Sequence, residues 1–132
     1  MGIGQDAMAL HMEGYNCAQA VLTSACRHTG LDEAEALAIS AGFGGGLRCG
    51  EVCGAVSGAV MGLGKCFPYN DSSDLEAKAK IAELARGFCA EFAKRFGNLR
   101  CDDIVGDRSH CNEYICAAAE LLEKMIKENR GE

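Results

Sequence analysis

Glycines 50, 54, 58 and 62 recur every fourth residue through an otherwise apolar stretch, and that spacing limits what the segment can become. On a helix, a four-residue repeat puts all four on one side. Each glycine inside a helix costs roughly 1 kcal/mol against alanine, so the stripe needs a neighbour that repays it. A second helix backbone is the expected neighbour, because a side without Cβ atoms permits close approach. The same smooth side also suits a cofactor or a partner, so Gly50, Gly54 and Gly58 are candidate cofactor-binding positions. The segment therefore reads as a helix from about Glu51 to Cys66, preceded by a glycine-rich loop over Gly42 to Gly50.

The remainder also reads as helix. Met8, Met12, Tyr15, Ala18, Leu22 and Cys26 keep three- and four-residue spacing and predict a first helix from Asp6 to Arg27, with Gly30 as its stop. Asp32 and Glu35 form a box-like start for a second helix, about Glu33 to Ala41. After Pro68 and Asn70, Ser73 with Glu76 opens the longest helix, about Asp74 to Phe96. Its inner face is Ile81, Leu84 or Ala85, Phe88, Phe92 and Phe96, and Gly97 ends it. A short turn covers Cys101 to Val105, and Ser109 caps a last helix, Cys111 to Glu128, with a stripe of Ile115, Ala118, Leu122 and Met125. No strand pattern, repeat or linker stands out. The expectation is an all-α, single-domain bundle of four to five helices spanning residues 1–132.

The formal net charge of −6 is spread along the chain without a basic cluster, which argues against nucleic acid as a partner. The N-terminal residues lack the basic and apolar regions of an export signal. The longest apolar stretch, Val52 to Leu63, is too short and glycine-broken to span a bilayer. A cytoplasmic location is expected. There, nine cysteines mean metal binding or thiol chemistry more often than a disulfide framework.

Cys49 and Cys53 fall four apart at the start of the glycine-striped helix. A thiol in a first helical turn ionises more easily, because unpaired N–H groups and the helix dipole favour negative charge. Cys53 is thus the expected reactive thiolate, with Cys49 as its neighbour. Cys101 and Cys111 also sit at expected helix starts. Cys26 and Cys89 fall on apolar stripes and read as core, while Cys66 lies at a helix end, where the dipole works against a thiolate. His110, beside Cys111, is held in reserve as a base or ligand. The segment Ala59 to Cys66 imitates a phosphate-binding loop but lacks its first glycine and its Ser/Thr, and it would end a helix instead of opening one. The glycines from Gly42 follow no strand, so a dinucleotide fingerprint is unsupported.

Several blocks in this order resemble the bacterial and archaeal C-GCAxxG-C-C family of redox-active proteins. They are Gly14-Tyr-Asn-Cys17-Ala-Gln-Ala-Val21, Gly42-Phe-Gly-Gly-Gly46, Gly50-Glu-Val-Cys53-Gly-Ala-Val-Ser-Gly58, Phe96-Gly with Cys101, and Cys111 opening an alanine-rich helix. The family's redox designation is itself drawn from four cysteines. The resemblance implies that these are Cys17, Cys53, Cys101 and Cys111, with Cys116 competing for the fourth place. A related domain in split-Soret cytochromes accompanies an iron–sulfur cluster, whereas this chain has no C-x-x-C-H for covalent haem.

Three functions follow as expectations. The first is electron transfer through a [2Fe–2S] cluster held by Cys17, Cys53, Cys101 and Cys111. The second is thiol–disulfide exchange with Cys53 as nucleophile and Cys49, Cys17 or Cys101 as resolving partner. The third is a non-enzymatic module in which the cysteines bind zinc or fill the core, and in which the glycine-striped helix joins two copies in a homodimer. No redox partner is specified by the sequence.

Overall fold

The computed structural model describes residues 2–104, 106 and 110–132. Among them the chain forms eight α-helical segments and no strand beyond one isolated bridge. They are α1 (Ile3–Met12), α2 (Cys17–Ser24), α3 (Cys26–Thr29), α4 (Glu33–Ser40), α5 (Gly54–Cys66), α6 (Leu75–Phe96), α7 (Cys101–Ile104) and α8 (Cys111–Arg130). The architecture is all-α as expected, with more segments than four to five. None of the described helices is long and apolar enough to cross a membrane.

Most of the extra segments come from the expected first helix, which is broken twice. Gly14 takes φ +115°, where residues with a Cβ are strained, and α1 ends before it. Asn16 then restarts the chain. Its side-chain oxygen accepts from Gln19 N–H at 2.9 Å, while the Gln19 side chain accepts from Asn16 N–H at 3.0 Å. This reciprocal box satisfies two otherwise orphaned donors and makes Cys17 the first residue of α2. The buried face of α1 is accordingly Ile3, Gly4 and Ala7, and Met12 is exposed.

The glycine-striped helix is shorter than expected. Cys53 is the N-cap of α5, and Gly50 lies in the loop at φ +78°. Only Gly54, Gly58 and Gly62 stripe the helix, and their neighbours belong to the same chain. A Cβ at Gly54 would strike the Cys17 sulfur, one at Gly58 would lie 2.6 Å from the Ala18 carbonyl oxygen, and one at Gly62 would lie 3.0 Å from Leu122. The close-packing reading of the stripe therefore holds, with α2 and α8 as the occupants. As a face for a second copy or a cofactor, Gly58 and Gly62 are already filled.

The long helix is capped by Asp74, whose carboxylate accepts from Ala77 N–H at 3.0 Å. Ser73 instead bonds to Asp71. Leu84, Phe88 and Phe92 of α6 are buried against Ile115, Leu122 and Ile126 of α8 and Leu63 of α5. Phe96 meets the Tyr114 ring edge-on at 4.7 Å between centroids. The expected cap at Ser109 lies outside the described residues, and α8 begins after His110 without a side-chain cap.

Replacing Gly58 by alanine forces α2 and α5 apart and should cost about 1–3 kcal/mol, as overpacking does. At Gly64, in the same helix with nothing within 4 Å of a new Cβ, alanine should stabilise by up to about 1 kcal/mol. Urea denaturation of the two variants would read opposite signs.

Candidate functional site

The segment 51–53 runs antiparallel to 99–101, through a bridge between Val52 and Arg100. Cys53 N–H donates to the Leu99 carbonyl at 2.7 Å, and Cys101 N–H donates to the Glu51 carbonyl at 2.6 Å. Glu51 also pairs with Arg100 across this ribbon at 3.6 Å. The ribbon fixes Cys53 and Cys101 side by side, and both are only 3% exposed. From the other side, the Asn16–Gln19 box delivers Cys17, and the start of α8 delivers Cys111.

These cysteines meet. Cys17, Cys53, Cys101 and Cys111, with Gly45, Tyr114 and Ile115, line one cavity of about 20 Å³. Each cysteine stands at the start of a helix: Cys17 opens α2, Cys53 caps α5, Cys101 opens α7 and Cys111 opens α8. Helix starts present N–H groups and the positive end of the dipole, so the arrangement favours negative charge on sulfur. Cys116 is elsewhere; its thiol bonds to the Glu120 carboxylate at 2.9 Å, and its pKa is raised to about 11 by burial and that carboxylate. The fourth position in the cavity is thus filled by Cys111.

Within the cavity, Cys17 and Cys53 are neighbours, placed for a hydrogen bond between their thiols. That bond, followed by the N–H groups of Gly45 and Ala18, pulls the Cys17 pKa well below the ordinary thiol range against the opposing effect of burial. For Cys53 the same bond, burial and the neighbouring charge raise the pKa, outweighing the Ala55 and Val56 N–H groups. Of the two, Cys17 is the thiol whose charge these surroundings favour, whereas the sequence points to Cys53. Both stand at helix starts. They differ in the groups that surround each sulfur.

Cys49 is not on a helix with Cys53. It sits in an exposed loop, and its thiol reaches the Gly46 carbonyl at 3.6 Å. In that loop Gly45, Gly46, Leu47 and Arg48 all take φ between 60° and 64°. A left-handed turn costs roughly 1–2 kcal/mol per residue with a Cβ, which applies to Leu47 and Arg48. Cys49 lines an open cleft of about 500 Å³ with His11, Asn16, Cys17, Arg48, Asp102 and Cys111, among others. Gly50 also lines it, and a Cβ there would strike the Asp102 carboxylate. His110 pairs loosely with Glu113 at 3.7 Å on the surface. Cys26, Cys66 and Cys89 are half-buried, and burial raises each of their pKa values.

The family described as "Putative redox-active protein (C_GCAxxG_C_C)" matches residues 15–125. The chain belongs to this C-GCAxxG-C-C family. No curated protein and no solved structure matches it. Within the C-GCAxxG-C-C chain, the Cys-Gly-Ala-x-x-Gly block has a direct structural meaning. Cys53 faces the cavity, and Gly54 and Gly58 admit Cys17 and the backbone behind it.

The family's cysteines are of the right type and number for a [2Fe–2S] cluster. The void between them, at about 20 Å³, holds little more than one water, so these sulfurs would have to part to admit such a core. One tetrahedral zinc needs its donors around a single point, and among the described residues no three His, Cys, Asp or Glu side chains are so placed.

Removing the Cys53 donor isolates its effect. Cys53→Ala should move the pH midpoint for alkylation of Cys17 upward by about one unit or more, the worth of a hydrogen bond to a charged group. An unchanged midpoint, followed by peptide mass spectrometry, would show that the Cys53 thiol does not hold the Cys17 charge.

Proposed function

We propose that the protein is a dithiol redox protein in which Cys17 attacks and Cys53 resolves, within a four-cysteine centre completed by Cys101 and Cys111. The observation that carries this reading is that Cys17 and Cys53 line one small cavity, and that of the two only Cys17 also borders the open cleft. Thiol–disulfide exchange needs a thiolate and a second thiol within reach, and this arrangement offers an accessible thiol with a second behind it. Of the pair, Cys17 borders the open cleft and Cys53 does not, so Cys17 is the one of the two that an outside disulfide meets first. Cys53 waits behind it as the protonated partner. Relative to the sequence expectation, the two roles are exchanged and Cys49 has no part in the pair.

A second reading is electron transfer through a [2Fe–2S] cluster on the same four cysteines. The convergence of four cysteines from four helix starts on one cavity favours it.

Protein purified without oxygen separates the two. The dithiol reading expects colourless, iron-free protein that yields one disulfide, Cys17 to Cys53, on mild oxidation, as mapped by peptide mass spectrometry. Cys53→Ser should abolish that disulfide. Iron and acid-labile sulfide in matching amounts, with visible absorption lost in Cys101→Ser and Cys111→Ser, would establish the cluster instead.

A further inference from the structure

The open cleft of about 500 Å³ touches two of the four central cysteines, Cys17 and Cys111, and does not reach Cys53 or Cys101. Its size is that of a small-molecule site. Its rim carries both signs of charge. The Arg48 guanidinium donates to the Ala41 carbonyl at 2.8 Å, which orients the group and leaves most of its donors for a ligand. The Asp102 carboxylate lines the same cleft, against Gly50. Asn16 and His11 add polar groups to the lining, and the His11 ring is oriented by Asn112 at 2.9 Å.

We propose that this cleft is the substrate site of the dithiol and takes a low-molecular-weight disulfide of peptide type, its carboxylate bound by Arg48 and its ammonium group by Asp102. This rests on the dithiol reading and names its substrate class. In the reaction the Cys17 thiolate attacks one sulfur of R–S–S–R. The S–S bond breaks, a Cys17–S–S–R mixed disulfide forms, and RS⁻ leaves and takes the Cys53 proton. The Cys53 thiolate then attacks the Cys17 sulfur, closing the Cys17–Cys53 disulfide and releasing a second RS⁻, which water protonates. Two cysteine sulfurs are oxidised by two electrons, and one disulfide is reduced to two thiols.

The test is a single turnover of the fully reduced, full-length protein with two probes, oxidised glutathione and the uncharged hydroxyethyl disulfide. Released thiol is timed, and the protein disulfide is mapped. Arg48→Ala should slow reaction with oxidised glutathione about tenfold, the worth of one charge-assisted hydrogen bond, and leave hydroxyethyl disulfide within about twofold. Asp102→Asn should show the same selectivity, and it serves in place of Arg48→Ala should that variant lose its circular dichroism. Equal slowing with both probes, or none with either, would overturn the cleft assignment. Failure of both probes to form the Cys17–Cys53 disulfide in the unaltered protein would overturn the dithiol reading beneath it.

Discussion

The approach of α2 onto α5 is the contact on which the rest of the site depends. It is possible because two glycines, Gly54 and Gly58, remove the Cβ atoms that would otherwise meet Cys17 and the Ala18 backbone. Roughly 1 kcal/mol per glycine is the helix cost, and burial of Ala18, Val21 and Leu22 against α5 and α8 offsets it. Packing and chemistry are one event here. The backbone cannot seat at Gly58 without bringing the Cys17 sulfur over Gly54, and at that place it faces Cys53.

Charge follows from how the cysteines are delivered. Cys17, Cys53 and Cys111 stand at the starts of full helices, and Cys101 opens a single turn. Each brings N–H groups toward one small apolar cavity, where weak screening makes every donor count for more. Four thiolates there would repel one another strongly, and a proton shared between sulfurs relieves that repulsion. Cys17 and Cys53 are the pair placed to share one. Their pKa values accordingly shift in opposite directions, although their positions on their helices are nearly equivalent.

Much of this was legible beforehand, and the failures have physical causes. Helix content, the stop at Gly97, the inner face of α6 and the tight packing of the glycine stripe all follow from periodicity and glycine chemistry. The break near Gly14 was hidden because an apolar three–four spacing continues across it, although Asn16 and Gln19 carry the capping signature that locates the break. Missing that box concealed why Cys17 is special, and nothing else in its local sequence reveals it. The start of α5 lies later than periodicity suggests because Glu51 to Cys53 pair with residues 99–101, a contact almost fifty residues away along the chain that no local pattern encodes. That same pairing removes Gly50 and Cys49 from the helix. Arg48 and Asp102, at the rim of the cleft, were unreadable for the same reason.

The left-handed turn at Gly45 to Arg48 links these points. Gly46 is required there because a Cβ would run into the Glu51 backbone, and Gly45 lines the cavity with Cys17. Leu47 and Arg48 hold an unfavourable conformation that gains nothing for the core, since both side chains are exposed. Strain of this kind persists where the surrounding structure over-determines it, and it gathers at functional sites. Here the closing bond from Glu51 N–H to the Gly46 carbonyl at 2.9 Å ties the turn to the ribbon that holds Cys53 and Cys101. One loop therefore borders the four-cysteine cavity on its inner side and presents Arg48 and Cys49 to the cleft on its outer side. Gly45 lines both the cavity and the cleft, so the same turn shapes the surroundings of Cys17 and the approach to it.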